Sequence, residues 1–165
     1  DPSKSLATQL VNQCGKQGPV YVYFAGFEKT RIKELAAKFP KLKQSLLAIN
    51  DRVVDLLPIA QERYYNPSQH GSWSIKKVLP AIAPDLNYSE LDGVQDGGMA
   101  MDAFSEAIDK ETSSERKQEI EYQLKKYCEL DTFAMVRLWE FLSGKKTAVT
   151  PAFCASKRSF SIFEG

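Results

Sequence analysis

Tyr127 and Asp131 are spaced as Tyr-x-x-x-Asp within the most regular helical pattern of the chain, Thr112 to Phe141. Residues four apart lie on one face of a helix, one turn from each other. A carboxylate there can hold a divalent cation, while the phenol orients a water for attack on a phosphodiester. The pair indicates this chemistry; taken alone, the spacing favours a solvated Asp beside a half-buried Tyr.

The composition predicts one soluble domain without a strong overall charge. The chain has 165 residues, of which 43% are hydrophobic, and its 22 basic and 21 acidic residues give a net charge of +1. A polyanion would therefore have to be bound locally. The three cysteines have no zinc-ligand spacing, and no segment reads as a membrane span or a signal peptide. We expect a cytoplasmic protein with no membrane partner.

The first half of the chain alternates between helical and strand patterns. Apolar residues from Leu6 to Cys14 predict a helix, and the β-branched and aromatic run Pro19 to Phe24 predicts a strand. Two helices follow, from Phe27 and from Pro40. The run Arg52 to Leu57 predicts a second strand that Pro58 closes.

The second half is mainly helical. A loop from Tyr64 to Ser74 precedes a short helix capped by Ser72 or Ser74. After an irregular segment a helix begins at Gly97-Gly98, and Thr112-x-x-Glu115 reads as the capping box of the long helix, which Gly144 ends. The predicted class is α/β with few strands and a helix-rich C-terminal part. Two strands make a poor sheet, so further strands are expected from elsewhere.

Glu28 follows the first predicted strand at the point where the chain turns into a helix. An open α/β sheet exposes side chains at the carboxyl ends of its strands, which makes Glu28 a candidate site carboxylate. Asp55, in the second strand, could approach the same edge. The alternative for Asp55, a strand-end residue that accepts a hydrogen bond from a loop, is favoured.

The order of these motifs resembles a known superfamily. Val20 to Glu28, the strand Val53 to Leu57, the helix start Ser74-Ile-Lys76 and Tyr127-Cys-Glu-Leu-Asp131 follow the order of the DnaQ-like (DEDD, tyrosine-type) 3'-5' exonucleases of the ribonuclease H-like fold. Gly71 to Pro80, with Asp96 to Ala100, more closely resembles a bacterial domain family of unknown function that looks like a member of that superfamily. In longer proteins such a domain can follow a RecB-like nuclease region.

The resemblance implies a phosphodiesterase that uses two divalent cations, Mg²⁺ or Mn²⁺, held by four carboxylates. It assigns the second-motif carboxylate to Glu28, the third to Asp131, and the water-orienting phenol to Tyr127. Glu28 and Asp131 are thus the implied metal ligands, and both ions are expected only in a complete domain.

The sequence departs from the superfamily pattern at three points. The first motif, an Asp-x-Glu on a strand, is absent, because Asp109-Lys110-Glu111 lies in a charged helix end or loop and reads as a chance match. Glu28 replaces the commoner Asp. Phe24 stands where related sequences usually carry Asn.

Three further residues are expected near a nucleic-acid substrate. Lys76 could contact a phosphate and Ser74 begins the same helix, by their family-like placement beside the substrate groove. Trp73 could stack on a base, although such a Trp more often packs its own loop. For Lys76, plain solvation is the equal alternative.

Together these features predict a partial ribonuclease H-like, DnaQ-like exonuclease domain over residues 1–143, N-terminally truncated, with a tail at 144–165. The expected function is part of a metal-dependent nucleic-acid phosphodiesterase that acts on a DNA or RNA end and is inactive as this fragment. The alternative is a non-catalytic nucleic-acid-binding or scaffolding module that kept the fold and lost the chemistry. The absent Asp-x-Glu and the near-neutral charge favour this alternative.

Overall fold

A computed structural model describes residues 2–86 and 88–145. The chain divides into two compact units, of which unit 1 extends to Tyr65 and unit 2 begins at Asn66. Each unit has buried clusters of its own.

Unit 1 combines four helices with two short strands. In chain order these are α1 (Ser3–Cys14), β1 (Val20–Val22), α2 (Ala25–Lys38), α3 (Lys43–Asp51), β2 (Val53–Asp55) and α4 (Leu56–Arg63), with a 3-10 turn at Pro40–Leu42 before α3. The strands pair in parallel, with Val20 opposite Val53 and Val22 opposite Asp55. Parallel pairing places the carboxyl ends of both strands at one edge, where α2 and α4 begin.

The core of unit 1 consists of the helix faces that the sequence periodicity predicts. Ile32 and Ala36 of α2 are buried with Leu46 and Ile49 of α3 and with Ala7 of α1. Partly buried apolar side chains surround them, among them Leu10, Val11, Cys14, Leu35 and Phe39. The predicted helices at Leu6–Cys14, Phe27 and Pro40 are thus confirmed.

Arg52 stabilises the turn between α1 and β1 through hydrogen bonds. Its guanidinium donates to the carbonyl oxygens of Cys14 at 3.2 Å, Gly15 at 2.8 Å and Gly18 at 2.7 Å. The Cys14 carbonyl belongs to the last turn of α1 and those of Gly15 and Gly18 lie beyond it, so none of them has a helical amide ahead of it to bond. One side chain therefore satisfies the end of a helix and sets the start of the neighbouring strand.

The predicted end of the second strand was wrong. Leu56 and Leu57 begin α4 instead of extending β2, and Pro58 lies in the first helical turn. Asp55 is the N-cap, and its carboxylate accepts a hydrogen bond from the Leu57 amide at 3.0 Å. A proline fits there because the first amides of a helix have no carbonyl to bond.

Unit 2 contains three helices among its described residues. They are α5 (Ile75–Ile82), α6 (Gly97–Ile108) and α7 (Ser114–Ser143), with 3-10 turns at Pro67–Gln69 and Tyr88–Glu90. Its buried residues form two clusters that both involve α7 and the partly buried ring of Tyr127. The first contains Leu79, Ala83, Tyr88 and Ala134, and the second contains Val94, Ala107, Ile120 and Leu124.

The start of α7 differs from the predicted capping box by one residue. Ser113 is the N-cap, and its hydroxyl accepts from the Arg116 amide at 3.2 Å. Thr112 lies one residue further from the helix, and its hydroxyl donates to the Glu106 carbonyl oxygen at 2.7 Å. The predicted end of the helix is confirmed, since Gly144 adopts the left-handed conformation with φ 64°.

The mixed α/β class and the helix-rich character are confirmed. The ribonuclease H-like fold stays a prediction, as does a domain over residues 1–143. The predicted tail lies almost wholly outside the described residues. Among the helices of the described part, none is long and apolar enough to cross a membrane.

Candidate functional site

The centre of α7 carries Tyr127 and Asp131, both half-buried. The Asp131 carboxylate accepts a hydrogen bond from the Tyr88 hydroxyl, with 2.7 Å between Tyr88 Oη and Asp131 Oδ1. The ring of Tyr88 lies 6.1 Å from that of Tyr127, tilted by 57°. Two phenols and one carboxylate therefore form one cluster on this helix.

Tyr127 is a proton donor at neutral pH. Burial is the main factor that raises the pKa of Tyr127, and the negative charge of Asp131 and a hydrogen bond to that carboxylate add to it, bringing the value to about 12. A phenol that holds its proton can donate to an oxygen of a ligand or of a water. This is the state that the water-orienting role requires.

Lys76 of α5 joins the cluster from a segment 51 positions earlier in the chain than Tyr127. Its Nζ lies 5.2 Å from the ring centroid of Tyr88 and 5.6 Å from that of Tyr127. It donates to the Gln95 carbonyl oxygen at 2.9 Å. A lysine ammonium on two aromatic faces is a favourable cation–π arrangement, which holds its positive charge beside the phenols.

Asp96 brings a second carboxylate toward the same lysine. It is the N-cap of α6 and accepts from the Met99 amide at 2.9 Å. That hydrogen bond is the main factor that lowers the pKa of Asp96, and the charge of Lys76 contributes. Asp96 is thus ionised, and the cap accounts for one of its oxygens.

Sequence reasoning missed Tyr88. It is buried, with 8% of its surface exposed, on a 3-10 turn inside the segment that was predicted to be irregular. Burial raises the pKa of Tyr88, and its hydrogen bond to Asp131 raises it further. Such a segment has no periodicity that would mark one side chain as buried.

Trp73 and Ser74 lie at the beginning of the helix that carries Lys76. Ser74 is the N-cap residue of α5, and its carbonyl oxygen accepts from the Lys77 amide at 2.8 Å. Its own amide donates to the Ser72 hydroxyl at 3.3 Å. Trp73 is half-buried. The predicted helix start is confirmed, while substrate contacts by these two residues stay predictions.

Glu28 lies in unit 1, in the first turn of α2. It is half-buried, and burial raises the pKa of its carboxyl group. The predicted place of Glu28, where the first strand leads into a helix, is confirmed.

Asp55 has the structural role that the sequence favoured. Its carboxylate accepts from the amides of Phe24 at 3.0 Å and Ala25 at 2.8 Å, in addition to Leu57. It therefore joins the first turns of α2 and α4 at the end of the strand pair. Asp109, the other doubtful candidate, accepts from the Glu111 amide in a turn after α6 and is not on a strand.

The described residues do not form a metal site by themselves. No group of three or more His, Cys, Asp or Glu side chains among them could hold a metal ion. One oxygen of Asp131 is already bonded to Tyr88. A two-cation site would need carboxylates in addition to those that this cluster provides.

Comparison with known proteins gives one finding. A family described as Domain of unknown function (DUF2779) matches residues 1–74. No curated protein and no solved structure matches the chain. The predicted resemblance to a family of unknown function is therefore confirmed for unit 1 and the loop that follows it. Most of the residues that suggested it, Gly71 to Pro80 and Asp96 to Ala100, lie beyond the matched part.

Proposed function

We propose that this chain is part of a metal-dependent nucleic-acid phosphodiesterase of the 3'-5' exonuclease type. In this proposal the cluster in unit 2 contributes Tyr127, Asp131 and Lys76. Glu28, the carboxylate that the resemblance assigns to the second motif, lies in unit 1. The remaining carboxylates, and with them the cation site, would come from outside these 165 residues. The chain alone is then inactive.

The observation that supports the proposal is the convergence of Lys76 on Tyr127 and Asp131. Lys76 belongs to a different sequence motif from Tyr127 and Asp131, and no local periodicity relates the two motifs. In unit 2 the Lys76 ammonium lies within 6 Å of the Tyr127 ring, and the Tyr88 ring links both to Asp131. A cation, a protonated phenol and a carboxylate in one cluster suit a phosphodiester.

Each of these side chains has a role that follows from its own chemistry. Lys76 offers a positive charge for a phosphate oxygen, although it must give up its bond to the Gln95 carbonyl or share it. Tyr127, whose hydroxyl hydrogen-bonds to Asp131, would have to redirect that hydrogen bond to a water or to a substrate oxygen. Asp131 provides negative charge at the same place. We assign no hydrolytic step to this chain, because its described residues do not complete a metal site.

A second candidate is a non-catalytic module that binds nucleic acid or serves as a scaffold. The hydrogen bond from Tyr88 to Asp131 favours it, since this bond gives the carboxylate a structural partner. The raised pKa of Tyr88 fits the same view, because a phenol that keeps its proton continues to donate. In this case Lys76 would still bind a phosphate, and nothing would be cleaved.

Hydrolysis of 5'-labelled single-stranded DNA and RNA in the presence of Mn²⁺ tests the proposal. We expect no shortening by the 165-residue chain, and 3'-end shortening by a natural longer protein that adds an Asp-x-Glu strand. In that protein Asp131→Asn should abolish the reaction. Tyr127→Phe should slow it by about 10²- to 10⁴-fold, the usual contribution of such groups.

Tyr122→Phe is the matched control, because Tyr122 lies on α7 with 61% of its surface exposed. Full activity of the Tyr127→Phe protein would remove α7 from the active site. Binding of the same oligonucleotides without cleavage, weakened by Lys76→Ala but not by Asp131→Asn, would establish the second candidate instead.

A further inference from the structure

Phe24 has a backbone conformation that is unfavourable for its residue type. Its φ of 72° and ψ of 63° place it in the left-handed region. Within the described residues only His70 shares a positive φ among non-glycine residues. A Cβ atom crowds the carbonyl oxygen in this conformation, and a bulky side chain is seldom found there.

Asp55 holds this conformation in place. Its two carboxylate oxygens accept from the Phe24 and Ala25 amides at 3.0 and 2.8 Å. Since Asp55 also caps α4, the turn at Phe24 is fixed from a neighbouring strand and helix. The strained residue is therefore imposed by the fold and is not a loose loop position.

The Phe24 side chain does not pack in the core. Phe24 is 62% exposed and Phe27, one helical turn further on, is 58% exposed. The Phe27 amide donates to the Phe24 carbonyl oxygen at 3.2 Å, so one turn presents both rings. The space beside Gly26, which lies between Phe24 and Phe27 in the chain, is open, because a Cβ atom placed on Gly26 would meet no other atom within 4 Å. Backbone strain that brings no internal packing indicates a functional use.

One positive charge lies against these rings. The Arg31 guanidinium lies 5.5 Å from the centroid of the Phe27 ring and also pairs with Glu34 at 2.9 Å. Helix α2 carries more basic than acidic side chains, namely Lys29, Arg31, Lys33 and Lys38 against Glu28 and Glu34.

We propose that Phe24 and Phe27, with Arg31, form a stacking surface for the bases of a single-stranded nucleic acid. Exposed aromatic rings on a basic element suit this ligand, because every base has a face that stacks and every nucleotide has a negative phosphate. An aliphatic protein partner would require no flanking positive charge. The inference rests on the proposed function and adds a surface on unit 1, where the proposed function named only Glu28.

Fluorescence anisotropy with a 5'-fluorescein oligothymidylate of 12 nucleotides, without metal, tests this surface on the full 165-residue chain. Phe24→Asn is the informative variant, because Asn tolerates the left-handed conformation. It should keep or raise the melting temperature while weakening binding about 5- to 100-fold, the loss of one stacked base. Phe27→Ala should weaken binding to a similar degree. Tyr122→Ala, which removes an equally exposed ring from α7, is the control and should bind as the unchanged chain does.

The outcomes separate this inference from the proposed function. If both Phe variants bind normally while Lys76→Ala binds weakly, the stacking surface is wrong and the role of unit 2 stands. If the unchanged chain does not bind the oligonucleotide, the surface is also wrong, and hydrolysis by the longer protein still decides the proposed function. If Phe24→Asn instead abolishes self-association in light scattering and leaves binding unchanged, the rings belong to an interface between copies.

Discussion

The carboxyl group of Glu28 is half-buried, and this lowers the stability of the folded chain at neutral pH. Because burial raises the pKa of Glu28, the folded chain holds the carboxyl proton more tightly than the unfolded chain does. The resulting stability is present below the unfolded pKa of about 4.5 and is lost as the pH rises through the folded value. At pH 7 the ionised carboxylate therefore destabilises unit 1.

We predict that Glu28→Gln raises the melting temperature at pH 7, and that the gain shrinks toward pH 4. Thermal unfolding followed by circular dichroism at both values measures this. Glu34→Gln is the control, since Glu34 is exposed and paired with Arg31, and it should bring no gain. A lower melting temperature for Glu28→Gln at pH 7 would mean that the carboxylate has a stabilising partner.

Tyr88 is the buried residue that connects the irregular segment to Asp131. Tyr88→Phe keeps the ring and removes the hydroxyl, so it should lower the free energy of unfolding by about 1.5 to 3 kcal/mol, as expected for a buried hydrogen bond to a charged group. Urea unfolding measures the loss, with Tyr122→Phe as a control that should change nothing. An unchanged stability would show that water replaces the Tyr88 hydroxyl at Asp131 without cost.

The candidate residues could be predicted from the sequence to different extents. Tyr127 and Asp131 are visible because a four-residue spacing on a regular helix places them on one face. Lys76 could be linked to them only through a resemblance, since no periodicity relates α5 to α7. Tyr88 could not be found, because its position depends on how a segment without regular structure folds back on α7.

Asp55 shows how one side chain can fix the starts of two helices. Asp55→Ala removes three hydrogen bonds to backbone amides and releases the strained turn at Phe24. We expect a loss of about 1 to 3 kcal/mol in the free energy of unfolding, since a lost helix cap costs about 1 and unsatisfied amides add to it. Asp55→Asn should lose less, because its amide oxygen still accepts.

Urea unfolding and amide hydrogen exchange at Phe24 and Ala25 measure the effect of Asp55→Ala. Asp51→Ala is the matched control, because Asp51 is exposed at the C-terminal end of α3. If the Asp55 and Asp51 variants unfold alike, the three hydrogen bonds contribute nothing net, and another contact must hold Phe24.

Element types were easier to predict than element ends. The apolar faces of α1, α2 and α3 repeat at helical spacing, so the helices and their shared core follow from the pattern. The start of α4 does not, because Leu56 and Leu57 suit a strand as well as a helix and only the capping bond of Asp55 decides. At α7, Thr112 and Ser113 are equally good caps in sequence, and the structure shows that the helix begins one residue later than the pattern predicts, with Ser113 as the cap.

For the whole chain, the sequence predicted the mixed α/β class but left the origin of the sheet open. The described residues contain only a two-stranded sheet, with three residues in each strand. Two paired strands rarely form a stable sheet alone, and helices α2 and α3 cover this one only in part.

The two-stranded sheet leads to a prediction about self-association. In a sheet of two strands each strand has a partner on one side only, and the other side is an edge that can pair with another chain. Tyr21 of β1 is a large apolar side chain with 39% of its surface exposed. We therefore expect the 165-residue chain to associate with itself as its concentration rises, and more strongly in ammonium sulfate, which favours apolar burial.

Light scattering over a hundredfold range of concentration measures this self-association. Tyr21→Lys should reduce association if β1 provides the edge, because it places a charge there, whereas Phe24→Asn should leave it unchanged because Phe24 lies outside both strands. A monomer at every concentration and salt condition would mean that the two strands, with their helices, are a complete small fold.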